Sequence, residues 1–115
     1  MGAFEQPRSA ITLVPDTNFE KKQYTFGTCN ADGKLVTPAA GKLACGVVQT
    51  PGIAGEPCNV MTAGVSFVVL GGDVAAGAAI STDAEGKAVT ATDGEVLGIC
   101  LVGGAANELG TILLK

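Results

Sequence analysis

Eleven carboxylates, seven basic side chains, four cysteines and no histidine make up the chemical inventory of this 115-residue chain. Without histidine the commonest general base is missing, and a cysteine nucleophile would have no imidazole to activate it. The carboxylates Asp32, Asp73, Asp83, Glu85 and Asp93 fall in turn-like segments, where an acidic side chain caps backbone N–H groups and stays solvated. Asp83-Ala84-Glu85-Gly86 opens like a calcium loop but lacks the alternating oxygen ligands and closing glutamate of an EF-hand. Gly71-Gly72 and the residues after it are not a phosphate loop, because no Lys-Ser/Thr pair ends them. Cys29, Cys45, Cys58 and Cys100 include no C-x-x-C pair, so they do not have the ligand spacing of a zinc site. Cys58 and Cys100 lie in apolar strand-like runs and are expected as small buried thiols. A cytoplasmic origin disfavours a disulfide, but the sequence leaves open whether all four thiols are free. The expectation is a protein that is not an enzyme, with no catalytic residue, metal or cofactor.

The elements that must position these residues read as β throughout. Glycine is 17 of 115 residues, about twice the usual ~7%, without a collagen-like triplet period. It punctuates short apolar runs, as tight turns do between strands. Aromatic content is only 4% with no Trp, so Val, Leu, Ile and Ala must supply the core. The sequence predicts strands over residues 10–14, 24–29, 34–37, 44–50 and 56–62. A turn at Ala63-Gly64 is then followed by strands over 65–70, 80–82, 87–92, 96–102 and 109–114. Thr17 and Glu20 have capping-box spacing for one helical turn. Turn signals every 8–12 residues indicate a barrel or sandwich. The reading is all-β: a small Gly-rich β-barrel or sandwich-like domain over 10–115, preceded by an extended N-terminal arm over 1–9.

The chain also repeats itself. Gly33, Lys34, Val36, Thr37 and Gly41 recur 53 positions later as Gly86, Lys87, Val89, Thr90 and Gly94. After a one-residue deletion, Gly46, Val47, Ala54, Glu56 and Val60 are matched by Gly98, Ile99, Ala106, Glu108 and Ile112. The pseudo-repeats run roughly over 24–62 and 77–114, which implies an internally pseudo-symmetric body built for shape. The net charge of −4 and the scattered lysines argue against nucleic acid as a partner, which needs clustered basic residues. No run approaches the ~20 apolar residues of a membrane-spanning helix. The N-terminus lacks the basic-then-apolar pattern of a secretory signal, so no membrane partner is expected. Gly72-Asp73-Val74-Ala75-Ala76-Gly77 occurs in swinging-arm carrier domains, but the hairpin lysines, Lys34 and Lys87, follow Gly rather than Asp or Met. A mass addition on either lysine would expose that reading.

Several strings together resemble the small head-decoration, or capsid cement, proteins of tailed bacteriophages. They are Lys22-Gln23-Tyr24-x-Phe26 with Ala31-Asp32-Gly33-Lys34, Gly46-Val47-x-Gln49 with Ala54-Gly55-Glu56, Val74-Ala75-Ala76-Gly77 with Asp83-x-x-Gly86-Lys87-Ala88-Val89, and Gly98-x-Cys100-Leu101. Their order covers residues from about 10 to 115. The resemblance implies a structural protein of the virion. It would be synthesised in the host cytoplasm, bind the outer surface of the expanded head and stabilise it by clamping neighbouring major capsid subunits. It also implies a homo-oligomer, with a trimer favoured. The alternative is a β binding module of a phage tail or spike that recognises a host surface glycan, which the scarcity of aromatics weakens.

Four residues are candidate capsid or protomer contacts. The arm is expected to be mobile in the free protein and ordered on the capsid by strand addition, with Phe4 as apolar anchor and Arg8 as charge contact. Simple fraying is the competing expectation. Phe19 and Tyr24 flank Lys21-Lys22 and are of the type enriched at interfaces, although core packing is the safer expectation for both. Phe26 and Phe67 lie in strand runs and are assigned to the core.

Overall fold

The computed structural model describes residues 6–114, with side chains from Ser9 onward. All named elements are strands: β1 (Gln6–Leu13), β2 (Phe26–Cys29), β3 (Leu35–Val36), β4 (Gly46–Val48), β5 (Cys58–Val69), β6 (Ala79–Thr82), β7 (Ala88–Thr90), β8 (Gly98–Val102) and β9 (Leu109–Leu114). They form one sheet in the order β3-β2-β4-β5-β9-β8-β6-β7, and β1 pairs with β5. The all-β expectation therefore holds.

The repeat is written into the strand register. In the first half β2 pairs Phe26 with Val47 and Gly27 with Gly46, and β4 pairs Val47 with Met61 and Val48 with Val60. The second half reproduces each pair with its homologous residues: Ala79 with Ile99, Ile80 with Gly98, Ile99 with Leu113, and Cys100 with Ile112. The β2–β3 and β6–β7 hairpins are equally alike. Asn30 Oδ1 accepts the N–H groups of Asp32 (2.9 Å) and Lys34 (3.1 Å). Asp83 Oδ1 accepts those of Glu85 and Lys87 (2.9 Å each). Gly33 and Gly86 close these turns at φ 75° and 81°, a left-handed conformation that glycine adopts without steric cost.

The repeat is longer than the sequence identities suggest. β1 pairs Ile11 with Val60, Thr12 with Asn59 and Leu13 with Cys58. The second half of β5 pairs Ser66 with Ile112, Phe67 with Thr111 and Val68 with Gly110 in the homologous register. Isolated parallel bridges, Pro15 with Leu35 and Leu70 with Ala88, draw the seam of each half together. Each half is thus a curled, open half-barrel, and β5 is the last strand of one and the first strand of the other.

That sharing explains two departures from expectation. Ala63-Gly64 does not turn the chain; β5 runs through it for 12 residues. Gly64, at φ 112°, lets the strand bend where its partner changes from β4 to β9, and β1 shifts register opposite the same place. β1 also begins at Gln6 rather than residue 10, so Gln6, Pro7 and Ser9 of the arm already pair with Val65, Gly64 and Ala63, while Arg8 falls in a register shift. The helical turn after Thr17 does not form. Asn18 Oδ1, and not Thr17, accepts the Glu20 N–H (2.9 Å), and Lys22 N–H closes onto Phe19 O (3.1 Å).

Two apolar clusters fill the body. Phe19, Leu35, Val48, Cys58 and Val60, with Leu13 against them, occupy the first half-barrel. Val68, Leu70, Val74, Ile80, Ala88, Leu97, Cys100 and Ile112 form the second, and Phe26 and Val47 of the first half pack into it. Burying each such side chain contributes about 1.5–3 kcal/mol, so the two halves are held together by real apolar cover. Gly46 and Gly98 permit this sheet geometry, because a Cβ on either would collide with the carbonyl oxygen of Met61 or Leu113 respectively.

Candidate docking surface

Of the four residues singled out from sequence, only Phe19 and Tyr24 have described side chains. Phe4 lies outside the described residues, and Arg8 is placed by its backbone within β1. Phe19 is only 1% exposed and exchanges backbone hydrogen bonds with Gly52 (2.7 and 3.4 Å), which pins it inside the first core. Tyr24 is half-buried. Its N–H donates to Val48 O (2.7 Å) and its carbonyl accepts from Val69 N–H (2.8 Å), so it ties β4 to β5. Its ring meets Phe67 edge-on, 5.3 Å between centroids and 75° between planes, a favourable aromatic geometry. Tyr24 holds φ 63°, and the homologous Gly77 holds 88°.

Sequence reasoning missed a surface on the second half. Ile99 pairs with Leu113 across β8 and β9 and with Ala79 across β6. All three are exposed, with Val96 exposed beside them. With Gly98 and Leu114 they line an apolar depression of about 360 Å³. Leu101 and Leu109 are exposed on the same two strands. A signal was present in the sequence: β8 reads Gly-Ile-Cys-Leu-Val, apolar at successive positions, as in strands covered on both faces. Contiguous exposed apolar area of this kind marks an interaction surface more than scattered leucines do.

The rest of the surface offers little chemistry. A depression of about 440 Å³ lies where Gly41 meets Gly94, with Lys42, Asp83 and Asp93 on its wall. Ser81 Oγ is buried there without a hydrogen-bond partner among the described residues. No group of three His, Cys, Asp or Glu side chains among the described residues could hold a metal. All four cysteines are free. Burial pushes the Cys58 thiol up in pKa, with the nearby Glu56 carboxylate adding to it. Burial also raises Cys100, against the opposing hydrogen bond at the Val102 backbone. No described helix is long and apolar enough to cross a membrane.

The fold is similar to that of the head fiber gp8.5 N base in bacteriophage phi29, with a TM-score of 0.77, 18% identity and 93% of each chain covered. Comparison with curated proteins gives no match. A family model described as phage cement protein matches residues 20–115, nearly the whole chain. The chain belongs to the phage cement protein family, and so to the structural proteins associated with the phage head.

Proposed function

We propose that the protein adds to the outer surface of the expanded phage head and stabilises it by clamping neighbouring major capsid subunits, acting as a homo-oligomer of three copies and not as an enzyme. The family match over residues 20–115 carries this reading. The head fiber base that shares the fold supports an outward position on the head. The chemistry agrees: there is no histidine in the sequence, and the second half carries a contiguous exposed apolar face. Four free thiols suit synthesis in the host cytoplasm.

The arm is the proposed capsid contact. β1 is exposed from Ser9 to Thr12, and it leads back to Arg8 and Phe4 at the start of the chain. An extended segment of this kind adds to a partner sheet through main-chain hydrogen bonds. Heads lacking the protein are expected to release DNA at a lower temperature than decorated heads, and purified protein is expected to restore the difference. Protein lacking residues 2–9 is expected to restore it poorly. Full protection by the truncated protein would remove the arm from the account, and no protection by the intact protein would remove the clamp.

A further inference from the structure

The main-chain hydrogen bonds around β1 show which of its sides is free. Gln49 N–H donates to Asn59 O (2.7 Å), in register with the pairing of Val47 with Met61. Neighbouring residues of a strand direct their N–H and C=O groups to opposite sides, so Cys58 and Val60 turn theirs away from β4 and toward β1. Their partners there are Leu13 and Ile11. The main-chain groups of Ala10 and Thr12 therefore point away from β5. No described residue pairs with Ala10 or Thr12 on that side. Val14, next in the row, is engaged: its carbonyl accepts the Leu35 N–H (2.8 Å) where β3 closes the seam.

The repeat shows what such an edge holds. By register, the homologues of Ala10, Thr12 and Val14 are Val65, Phe67 and Val69 in the second half of β5. Val65 pairs antiparallel with Gln6 of β1. Val69 N–H donates to Tyr24 O (2.8 Å), and the Tyr24 ring stands edge-on to Phe67. Segments of the first half thus fill this edge. The side chains record the same difference. Ser66 is 0% exposed and accepts a hydrogen bond from Gln49 Nε2 at its Oγ (2.9 Å), whereas its homologue Ile11 is 41% exposed. The first half leaves an apolar side chain open where the second half covers a polar one.

We propose that an extended segment of the capsid subunit adds to β1 as an antiparallel strand beside Ala10 and Thr12, with an apolar side chain over Ile11. Strand addition draws its affinity from main-chain hydrogen bonds. Ser9-Ala10-Ile11-Thr12 is exposed and carries none of the lysines or prolines that keep an edge from pairing. The arm of this chain or of a second copy is not the occupant, because Gln6 and Pro7 are seated on β5 of their own molecule. The partner that a protein of the phage head meets is the capsid subunit. The proposal rests on the head-binding reading above and deepens it: β1 accepts a strand as well as continuing the arm.

The test compares Thr12→Pro and Thr12→Ala with the parent on expanded heads stripped of decoration. Proline removes an N–H that points away from β5, a place where an edge strand tolerates it. Both variants lose the exposed bond from Thr12 Oγ1 to Asn59 Oδ1 (3.3 Å), and only the proline variant loses the N–H. Both are expected to keep the circular dichroism and melting behaviour of the parent. Thr12→Ala is expected to bind heads as the parent does, and Thr12→Pro roughly tenfold more weakly. Amide hydrogen exchange on the parent, read by peptide mass spectrometry, needs no variant to fold. The β1 peptide is expected to gain protection on the head relative to free protein. Binding of the parent with equal binding of Thr12→Pro, or with no gain of protection in β1, would overturn the strand addition and leave head binding standing. A parent that does not bind heads would overturn both. Full protection of these amides in free protein would put a second copy on the edge and overturn the proposal as well.

Discussion

Alanine at Gly33 and at Gly86 should cost different amounts, although the two turns are copies of one another. The left-handed backbone penalty is common to both, since φ is 75° and 81°, and amounts to about 1 kcal/mol. At Gly33 nothing further is displaced. At Gly86 the new Cβ would sit 2.9 Å from Phe26 O and 3.3 Å from Thr25 Cβ, so the hairpin tip must back away from β2. That movement weakens the bond from Phe26 N–H to Gly86 O, about 1 kcal/mol. It also returns part of the buried Phe26 ring to water, a further 1–2 kcal/mol or so. Gly33→Ala should therefore destabilise by about 1 kcal/mol and Gly86→Ala by about 3 kcal/mol. The corresponding losses in Tm are roughly 4 and 12 °C. Urea denaturation of dilute protein, with copies kept apart, measures both. Equal losses would refute the claim that the second hairpin seals the outer face of the first half.

Tyr24→Ala should destabilise by about 2–3 kcal/mol through the lost ring contact with Phe67 and lost burial. Tyr24→Gly should be about 1 kcal/mol more stable than Tyr24→Ala, because φ there is positive; a urea series in which alanine is the milder change would count against the conformational argument. At pH 8 a soluble thiol reagent should modify exposed Cys29 quickly, and buried Cys58 and Cys100 only at the rate of unfolding, as peptide mapping after timed labelling would show. Because burial holds the folded pKa values of Cys58 and Cys100 above that of a free thiol, their contribution to stability is full below the free-thiol value and lost as pH rises through the raised ones. Urea midpoints from pH 7 to 10 should accordingly fall only at the alkaline end.

What was legible in the sequence follows from which residues carry local instructions. Asn30-Ala31-Asp32-Gly33 and Asp83-Ala84-Glu85-Gly86 read as turns because a side-chain oxygen two residues back and a glycine at positive φ determine them locally. The first strands of the two repeats, residues 10–14 and 65–69, were not legible as copies. They share a single identity, Val14 with Val69, and a strand in this position needs only its inward side chains, such as Leu13 and Val68, to be apolar. Gly64 was misread as a turn because permissive backbone bends a shared strand as readily as it reverses a chain. Tyr24 hid a left-handed position that glycine marks openly at Gly77. The apolar outer face was hidden for a different reason. Val47 and Ile99 are nearly the same residue in the same register, and only the packing of one half on the other buries the first and leaves the second in solvent.

The most direct test of the account is co-sedimentation of the purified protein with expanded phage heads stripped of decoration, using unexpanded heads as the control. The account predicts saturable binding to expanded heads alone, at a stoichiometry set by the shell's symmetry. Equal binding to both forms, or binding to neither, would contradict it.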